Sequence, residues 1–461
     1  MDKLTFPQFP RDFVWGVSTA AYQIEGAVRE GGRGPSSWDA FAAEPGRIAN
    51  GDTGDIACDH YHRYPQDTAL MQELGVDAYR FSFSWSRVQP GGRGAVNAVG
   101  LGFYDKLVDG LLAAGIAPTP TLFQWDTPLE LEQRGGWLNR DTAARFADYA
   151  HLVGDHFADR IPRWITINEP VSLTLLGYGA GIHAPGLSLG FDALPAAHHL
   201  LLAHGLAVQA LRSAGAANIG IANNHAATWP ASGHQEDLQA AVLYDNIANW
   251  NFADPVLTGT YPEELAPLLP PIPDGDLATI STPIDWYGIN SYNPTLVGAP
   301  VAEGAALIDG HALDSSLPFS LRELEGHPRT DFDWPVVPEA FTELLLIFKD
   351  RYGFRLPPIY ITENGAAIND GPGREGRVRD ARRIAYTNGH LHALKAAMDA
   401  GVDVRGYFHW SLLDNFEWAA GFSQRFGLVH VDYETQKRTP KDSYHWYQQL
   451  IRRTKMPPSR P

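Results

Sequence analysis

Apolar positions along this chain switch between two periods. Short runs rich in β-branched and aromatic residues, such as FVWGVSTAA (13–21), DAYRFSFSW (77–85) and APTPTLFQW (117–125), have the length and composition of buried strands. Between them, apolar residues recur every three or four positions. YPQDTALMQELG (64–75) carries Leu70 and Leu74 on one helical face and ends in Gly75, a residue suited to the left-handed position that closes a helix. Phe103 to Ala114 reads the same way and stops at Gly115. Phe146, Ala150, Val153 and Phe157 stripe a helix over 141–161, with Asn139 as its N-cap. The alternation continues with strands at 163–169, 218–224, 284–292, 359–365 and 406–414. Helices are predicted around 193–214, near 235–250, over 338–353 with Gly353 at its end, along Ile384, Leu391 and Leu394 up to Gly401, and from Lys441 to Arg452.

Eight strands separated by helices predict a parallel sheet that closes on itself. The expected fold is therefore α/β, a single (β/α)8 TIM barrel with extended βα loops, and the expected domain is one catalytic unit spanning 1–461. LLPPIPDGD (268–276) and the weakly patterned stretch 297–333 read as surface loops of that barrel.

Composition narrows the function classes. Apolar residues make up 44% and charged residues 19%, which suits a large globular core. A net charge of −17 argues against nucleic acid and anionic membranes as partners. Cys58 is the only cysteine, so no internal disulfide or cysteine-rich metal site can form. The N-terminal MDKLTFPQFPRDF has no signal-like apolar stretch, and no run of eighteen apolar residues occurs, which leads us to expect a cytoplasmic protein. His60 and His62, and His198 and His199, lack the helical i, i+4 spacing with a third ligand, so no metal is expected. Aromatics are abundant. Most serve the core, but Trp15, Trp85, Trp125, Trp286 and Trp410 fall near predicted strand ends, where flat rings suit a sugar.

Two strand ends carry an acid. Glu363 follows YIT and precedes the turn former Asn364-Gly365; Glu169 ends ITIN and precedes Pro170. A lone glutamate at a strand end is ordinarily a solvated turn residue. Two at the C-terminal mouth of different strands lie where active sites of this fold sit. Paired carboxyls across a pocket can divide the acid and nucleophile roles of glycoside hydrolysis; a retaining enzyme would hold them roughly 5–5.5 Å apart.

The motifs FVWGVSTAAYQIEGA, GDTGDIACDHYHRY, YRFSFSWSRVQP, TINEP, ITENG and WSLLDNFEWAAGFSQRFGLVHVDYETQKRTPKDSYHWY occur in this order from end to end. On them the chain resembles glycoside hydrolase family 1, the β-glucosidase family of retaining (β/α)8 enzymes. The resemblance implies that Glu169 is the general acid/base and Glu363 the nucleophile, with Arg80 and Tyr292 beside the nucleophile. It implies sugar contacts from Gln23, Gln124, Trp125, Asn168, Asn290, Trp410, Glu417, Trp418 and Phe426, with Trp334 on the leaving-group side. Asn168 would reach the 2-hydroxyl, Trp410 would floor the ring, and Glu417 and Trp418 would hold the 3-, 4- and 6-hydroxyls. No metal or cofactor is implied, and the partner is a small β-glycoside, with a place in polysaccharide degradation.

Two positions depart from the family. TLFQWD has Gln124 where a histidine is usual, and a glutamine can donate and accept but cannot carry charge. Ser291 in GINSY stands where an aromatic is common, a change expected to alter packing more than chemistry. The leading expectation is a retaining β-glucosidase, with β-fucosides and β-galactosides as further substrates. The alternatives are a transglycosidase, or a glycosidase for a modified sugar on account of Gln124. A 6-phospho-β-glucosidase is disfavoured, because Glu417 would repel the phosphate. An inactive sugar-binding relative is disfavoured by the presence of both glutamates.

Overall fold

A computed structural model of the chain describes residues 5–301, 311, 314 and 316–456. Its centre is a closed barrel of eight parallel strands: β1 (Val14–Ser18), β2 (Ala78–Ser82), β3 (Ala117–Phe123), β4 (Trp164–Asn168), β5 (Ile219–Asn224), β6 (Trp286–Asn290), β7 (Ile359–Asn364) and β8 (Val404–Trp410). Sequence neighbours pair around the ring, and β8 closes on β1 in a register running from Val14↔Gly406 to Ser18↔Trp410. All eight expected strands are present. Most are shorter at the C-terminal end than their apolar runs, because the chain turns at the barrel mouth. The run 77–85 stops pairing at Ser82, and Trp85–Val88 folds into a helical turn.

The longer helices are α1 (His60–Leu74), α2 (Ala98–Ala113), α3 (Asp141–Phe157), α4 (Leu194–Ser213), α5 (Gln235–Asp245), α6 (Asn251–Thr258), α7 (Pro338–Tyr352), α8 (Ala381–Asp399) and α9 (Asp442–Lys455). The stripe expected on α3 is buried, and the Asp141 amide donates to Asn139 Oδ1 at 3.0 Å, so the cap contact exists one residue outside the helix boundary. Gly75 closes α1 at φ +83°. α1 starts earlier than Pro65 suggests, because its first turn bonds outward: the Tyr61 amide donates to the Glu25 carbonyl at 3.1 Å.

The helix expected near 235–250 is present and runs further: α5 passes through a π-helical stretch, Asn246–Trp250, into α6. Two expectations need correction. The stretch 297–333 is not all loop. Thr295–Gly298 and Ser320–Arg322 form a three-stranded sheet with Thr228–Pro230, while 302–310, 312, 313 and 315 lie outside the described residues. Finally, Trp15, Trp85 and Trp286 are core residues. Trp15 is fully buried against Phe9 and Phe13, and Trp85 stacks on Tyr149 at 5.1 Å. Trp286 fills the barrel with Phe408 because Gly220 and Gly16 face them: a Cβ on Gly220 would lie 2.6 Å from the indole, and one on Gly16 2.3 Å from the Phe408 ring. Of the five tryptophans, only Trp125 and Trp410 reach the cavity at the mouth. No described helix is long and apolar enough to cross a membrane.

Candidate active site

β4 and β7 end on the same rim, so the acids that follow or close them open on one cavity of about 440 Å³. Glu169 and Glu363 are each 4% exposed. Burial on this scale forces each carboxyl to find partners. Arg80 of β2 sits behind Glu363, fully buried, with Nη1 donating to Glu363 Oε1. Tyr292 donates its hydroxyl to Glu363 Oε2 at 2.7 Å. The other arm of Arg80 donates to Asn168 Oδ1 at 2.6 Å, which also accepts from Asn290 Nδ2 at 3.0 Å. Asn290 Nδ2 donates in turn to Glu169 Oε1 at 2.6 Å. One continuous chain, Glu363–Arg80–Asn168–Asn290–Glu169, thus fixes the two acids relative to each other.

The two carboxyls differ in charge environment. Glu363 faces a guanidinium and a phenol. Glu169 has only neutral donors, Asn290 and Ser172, whose Oγ donates to Oε2 at 2.7 Å. Burial, and next the negative charge of Glu363, push the Glu169 pKa up to about 7, against the pull of these hydrogen bonds. A buried acid protonated near neutrality therefore stands beside one paired with a cation. Backbone strain gathers at the same place: Glu169 has φ +45°, Trp125 +72° and Trp418 +47°, left-handed values that non-glycine residues seldom adopt.

The pocket's closed end is polar. Gln23 Nε2 donates to the Phe416 carbonyl at 2.9 Å and to Asn415 Oδ1 at 3.2 Å, and reaches Glu417 Oε2 at 3.4 Å. These three acceptors fix the orientation of the amide. Oε1 of Gln23 and Oε1 of Gln124 accept nothing from the described residues; Gln124 lines the cavity and Gln23 stands behind it. Trp125 packs on Trp418 with ring centroids 4.5 Å apart and donates from Nε1 to the Asn168 carbonyl at 3.1 Å. Across the cavity, Trp334 stacks on Phe332 at 4.9 Å and meets Tyr292 edge-on at 5.3 Å.

Eleven of the residues expected from sequence line this cavity: Gln124, Trp125, Asn168, Glu169, Tyr292, Trp334, Glu363, Trp410, Glu417, Trp418 and Phe426. The other three, Gln23, Arg80 and Asn290, stand directly behind it, bonded to Glu417, Glu363 and Glu169. Ser291 takes no part in the lining; its amide donates to the Glu363 carbonyl at 3.1 Å. Sequence reasoning missed Ser172, although its position three residues after Glu169, in the turn that Pro170 starts, is the spacing of a first-turn contact. It also missed His183, which lies 5.8 Å from the Trp125 ring in a loop without periodicity.

The model of Glycosyl hydrolase family 1 matches residues 6–456. Beta-glucosidase A of Acetivibrio thermocellus is 43% identical over 459 residues, 98% of this chain and 99% of its own length. A bifunctional beta-D-glucosidase/beta-D-fucosidase of Bifidobacterium breve is 44% identical over 463 residues, 96% of this chain and 98% of its own. Among solved structures, a psychrophilic beta-glucosidase from Micrococcus antarcticus superposes with a TM-score of 0.92 at 45% identity, covering 98% of both chains. The family 1 β-glucosidase of Thermotoga maritima in complex with isofagomine lactam gives 0.91 at 41% identity, covering 98% of this chain and all of its own.

Proposed function

The chain belongs to glycosyl hydrolase family 1, and we propose that it is a retaining β-glucosidase in which Glu363 attacks the sugar and Glu169 moves the proton. The observation that carries this reading is the asymmetry of the buried pair: one carboxyl bonded to Arg80 and Tyr292, the other raised to about 7 by burial and by its neighbour's charge.

In the first step the Glu363 carboxylate forms a bond to the anomeric carbon as the glycosidic C–O bond breaks. Glu169 gives its proton to the departing oxygen. The product is a glycosyl ester on Glu363, which carries no charge. The repulsion that raised the Glu169 pKa then disappears, and Glu169 can remain ionised. In the second step it takes a proton from water, the water oxygen bonds to the anomeric carbon, and the ester bond returns its electrons to Glu363. Arg80 and Tyr292 receive that charge in place. Two inversions retain the anomeric configuration.

Glucose as the sugar is supported by the relatives' activities and by the hydroxyl-seeking end of the pocket, with Gln23, Gln124 and Glu417 close together. A β-D-fucoside lacks the 6-hydroxyl and carries its 4-hydroxyl axial, so it would lose the first contact and present the second in a different direction. Glu417 at that end disfavours a 6-phosphate. A cytoplasmic site of action belongs to the same proposal, supported by a chain with a single, buried thiol.

The test is kcat/KM on nitrophenyl β-glucoside, β-fucoside, β-galactoside, β-xyloside and 6-phospho-β-glucoside, with Glu363→Ala alongside. The glucoside or fucoside should lead. The variant should be inactive, and azide should restore turnover with an inverted glycosyl azide as product. A Glu363→Ala variant with unimpaired activity would remove the nucleophile, and a leading phosphoglucoside would remove the glycone.

A further inference from the structure

The hydroxyl of Tyr292 steers Glu363, yet Tyr292 stands beyond the end of β6, where no ladder bond fixes its backbone. Its carbonyl accepts instead from the hydroxyl of Tyr386, at 2.9 Å. Tyr386 belongs to the second turn of α8, is buried, and does not line the sugar cavity. The same hydroxyl oxygen accepts from Asn364 Nδ2 at 3.2 Å, and Asn364 is the residue after Glu363. These contacts close a ring. Glu363 meets Tyr292 through the phenol, Tyr292 meets Tyr386 through the carbonyl, Tyr386 meets Asn364 through the hydroxyl, and a peptide bond returns to Glu363. Burial raises the Tyr386 pKa, so the hydroxyl keeps the proton that it donates.

The helix that carries Tyr386 is tied to the rim. Arg383, three residues earlier on the same face of α8, is fully buried. Its guanidinium donates to the carbonyl of Ala366, and to those of Ile368 at 2.8 Å, Arg425 at 2.9 Å and Phe426 at 3.0 Å. Two of these carbonyls follow β7 and two lie in the chain after β8. On its other side the Tyr386 ring stacks on His390, with centroids 3.9 Å apart. The hydroxyl is therefore a fixed point from which both segments flanking the nucleophile hang. A core tyrosine ordinarily serves through its ring, and its hydroxyl takes whichever partner is near. Here both partners are segments that set where Glu363 stands. An attacking oxygen displaced by about 1 Å loses about a hundredfold in rate, so such a fixed point bears on the reaction.

We propose that Tyr386 is a positioning residue for the nucleophile and acts through Tyr292: its hydroxyl sets the direction from which Tyr292 donates to Glu363. The inference rests on Glu363 being the nucleophile and adds to it a residue that touches no substrate.

A double-mutant cycle of Tyr386→Phe and Tyr292→Phe tests it. Both changes remove a hydroxyl and keep the ring, so the packing stays. Dinitrophenyl β-glucoside is the substrate, because its leaving group needs no proton and kcat/KM then reports the attack by Glu363. Tyr386→Phe should lower kcat/KM about tenfold, the worth of one hydrogen bond. Tyr292→Phe should lower it at least about tenfold. Adding Tyr386→Phe to Tyr292→Phe should cost less than about twofold more. Losses that multiply would show that Tyr386 does not act through Tyr292, and would overturn the proposal. Titration calorimetry with methyl 1-thio-β-glucoside separates positioning from a general loosening of the pocket. Its affinity for Tyr386→Phe should stay within about twofold, since the contacts of the bound sugar are untouched. An affinity loss as large as the loss in kcat/KM overturns the proposal, as does full activity in Tyr386→Phe. If Glu363→Ala is inactive and Tyr386→Phe is unimpaired, Tyr386 alone loses its role. If Glu363→Ala keeps full activity, the nucleophile reading falls and takes this inference with it.

Discussion

A carboxyl that gives up a proton in one step and takes it back in the next needs a pKa that moves. Glu169 has the means. Burial and the charge of Glu363 hold it near 7, and that charge vanishes in the glycosyl ester. Loss of the Glu169 proton removes the acid, so kcat/KM should fall as pH rises, with an apparent pKa near 7 that belongs to the coupled pair. The hydrogen bond from Ser172 favours the ionised form. Ser172→Ala should therefore move the alkaline limb to higher pH; a limb that stays, or moves to lower pH, would contradict this account of the site. Glu169→Ala should be about a hundredfold more damaging to methyl β-glucoside than to dinitrophenyl β-glucoside, whose leaving group needs no proton. Equal losses on the two would argue against an acid.

At the scale of elements, the site depends on how β7 and β8 end together. A Cβ on Gly365 would sit 1.8 Å from the Trp410 carbonyl oxygen, so the turn after Glu363 can press against the end of β8 only with glycine there. Gly365→Ala must push the two strand ends apart and shift Glu363 relative to Trp410. We expect a loss of about a hundredfold in kcat/KM, the usual effect of a misplacement near 1 Å, with far-UV circular dichroism unchanged; near-normal activity would show that the rim gives way freely. Such contacts mark the limit of what the chain reveals on its own. The eight strands are legible because each is buried on both faces and reads as an apolar run. Glu169 and Glu363 are legible because each breaks such a run with an acid followed by a turn former. The tryptophans mislead, since Trp15 and Trp286 lie at the N-terminal ends of β1 and β6, away from the mouth, and Trp85 follows β2 in a helical turn that packs on Tyr149. The π-helical stretches at Leu173–Gly179 and Asn246–Trp250 are equally silent, because one wide turn leaves the apolar spacing of a short helix nearly unchanged.

Over the whole molecule, buried titratable groups set stability against pH from both sides. His204, His225, His390 and His409 are completely or almost completely buried, and desolvation lowers the pKa of all four. Unfolding exposes rings that protonate below about 6.5, so acid pulls the chain toward the unfolded state. The buried carboxyls work in the opposite sense. Asp126 is pushed up to about 8 and Glu132 and Glu169 to about 7, chiefly by burial. Each keeps a proton in the folded state that the unfolded chain releases above about 4. Their contribution is complete below that value and is lost as pH rises through 7 to 8. The two sets oppose each other between about pH 4 and 6.5; above 7 the histidines add no slope, and near 8 Lys441, whose pKa burial lowers to about 8, begins to oppose the carboxyls. The unfolding temperature should therefore decline on the alkaline side. Asp126 contributes up to about 1 to 2 °C per pH unit, given one linked proton in a chain of this size. Asp126 is buried and does not line the cavity. Asp126→Asn keeps the shape and cannot ionise, so it should flatten the decline between about pH 6.5 and 8 while leaving the alkaline limb of kcat/KM, which follows Glu169, in place. Parallel stability profiles for the two proteins would show that the decline arises elsewhere. A shifted activity limb would show that the wall of the pocket and its acid titrate as one unit.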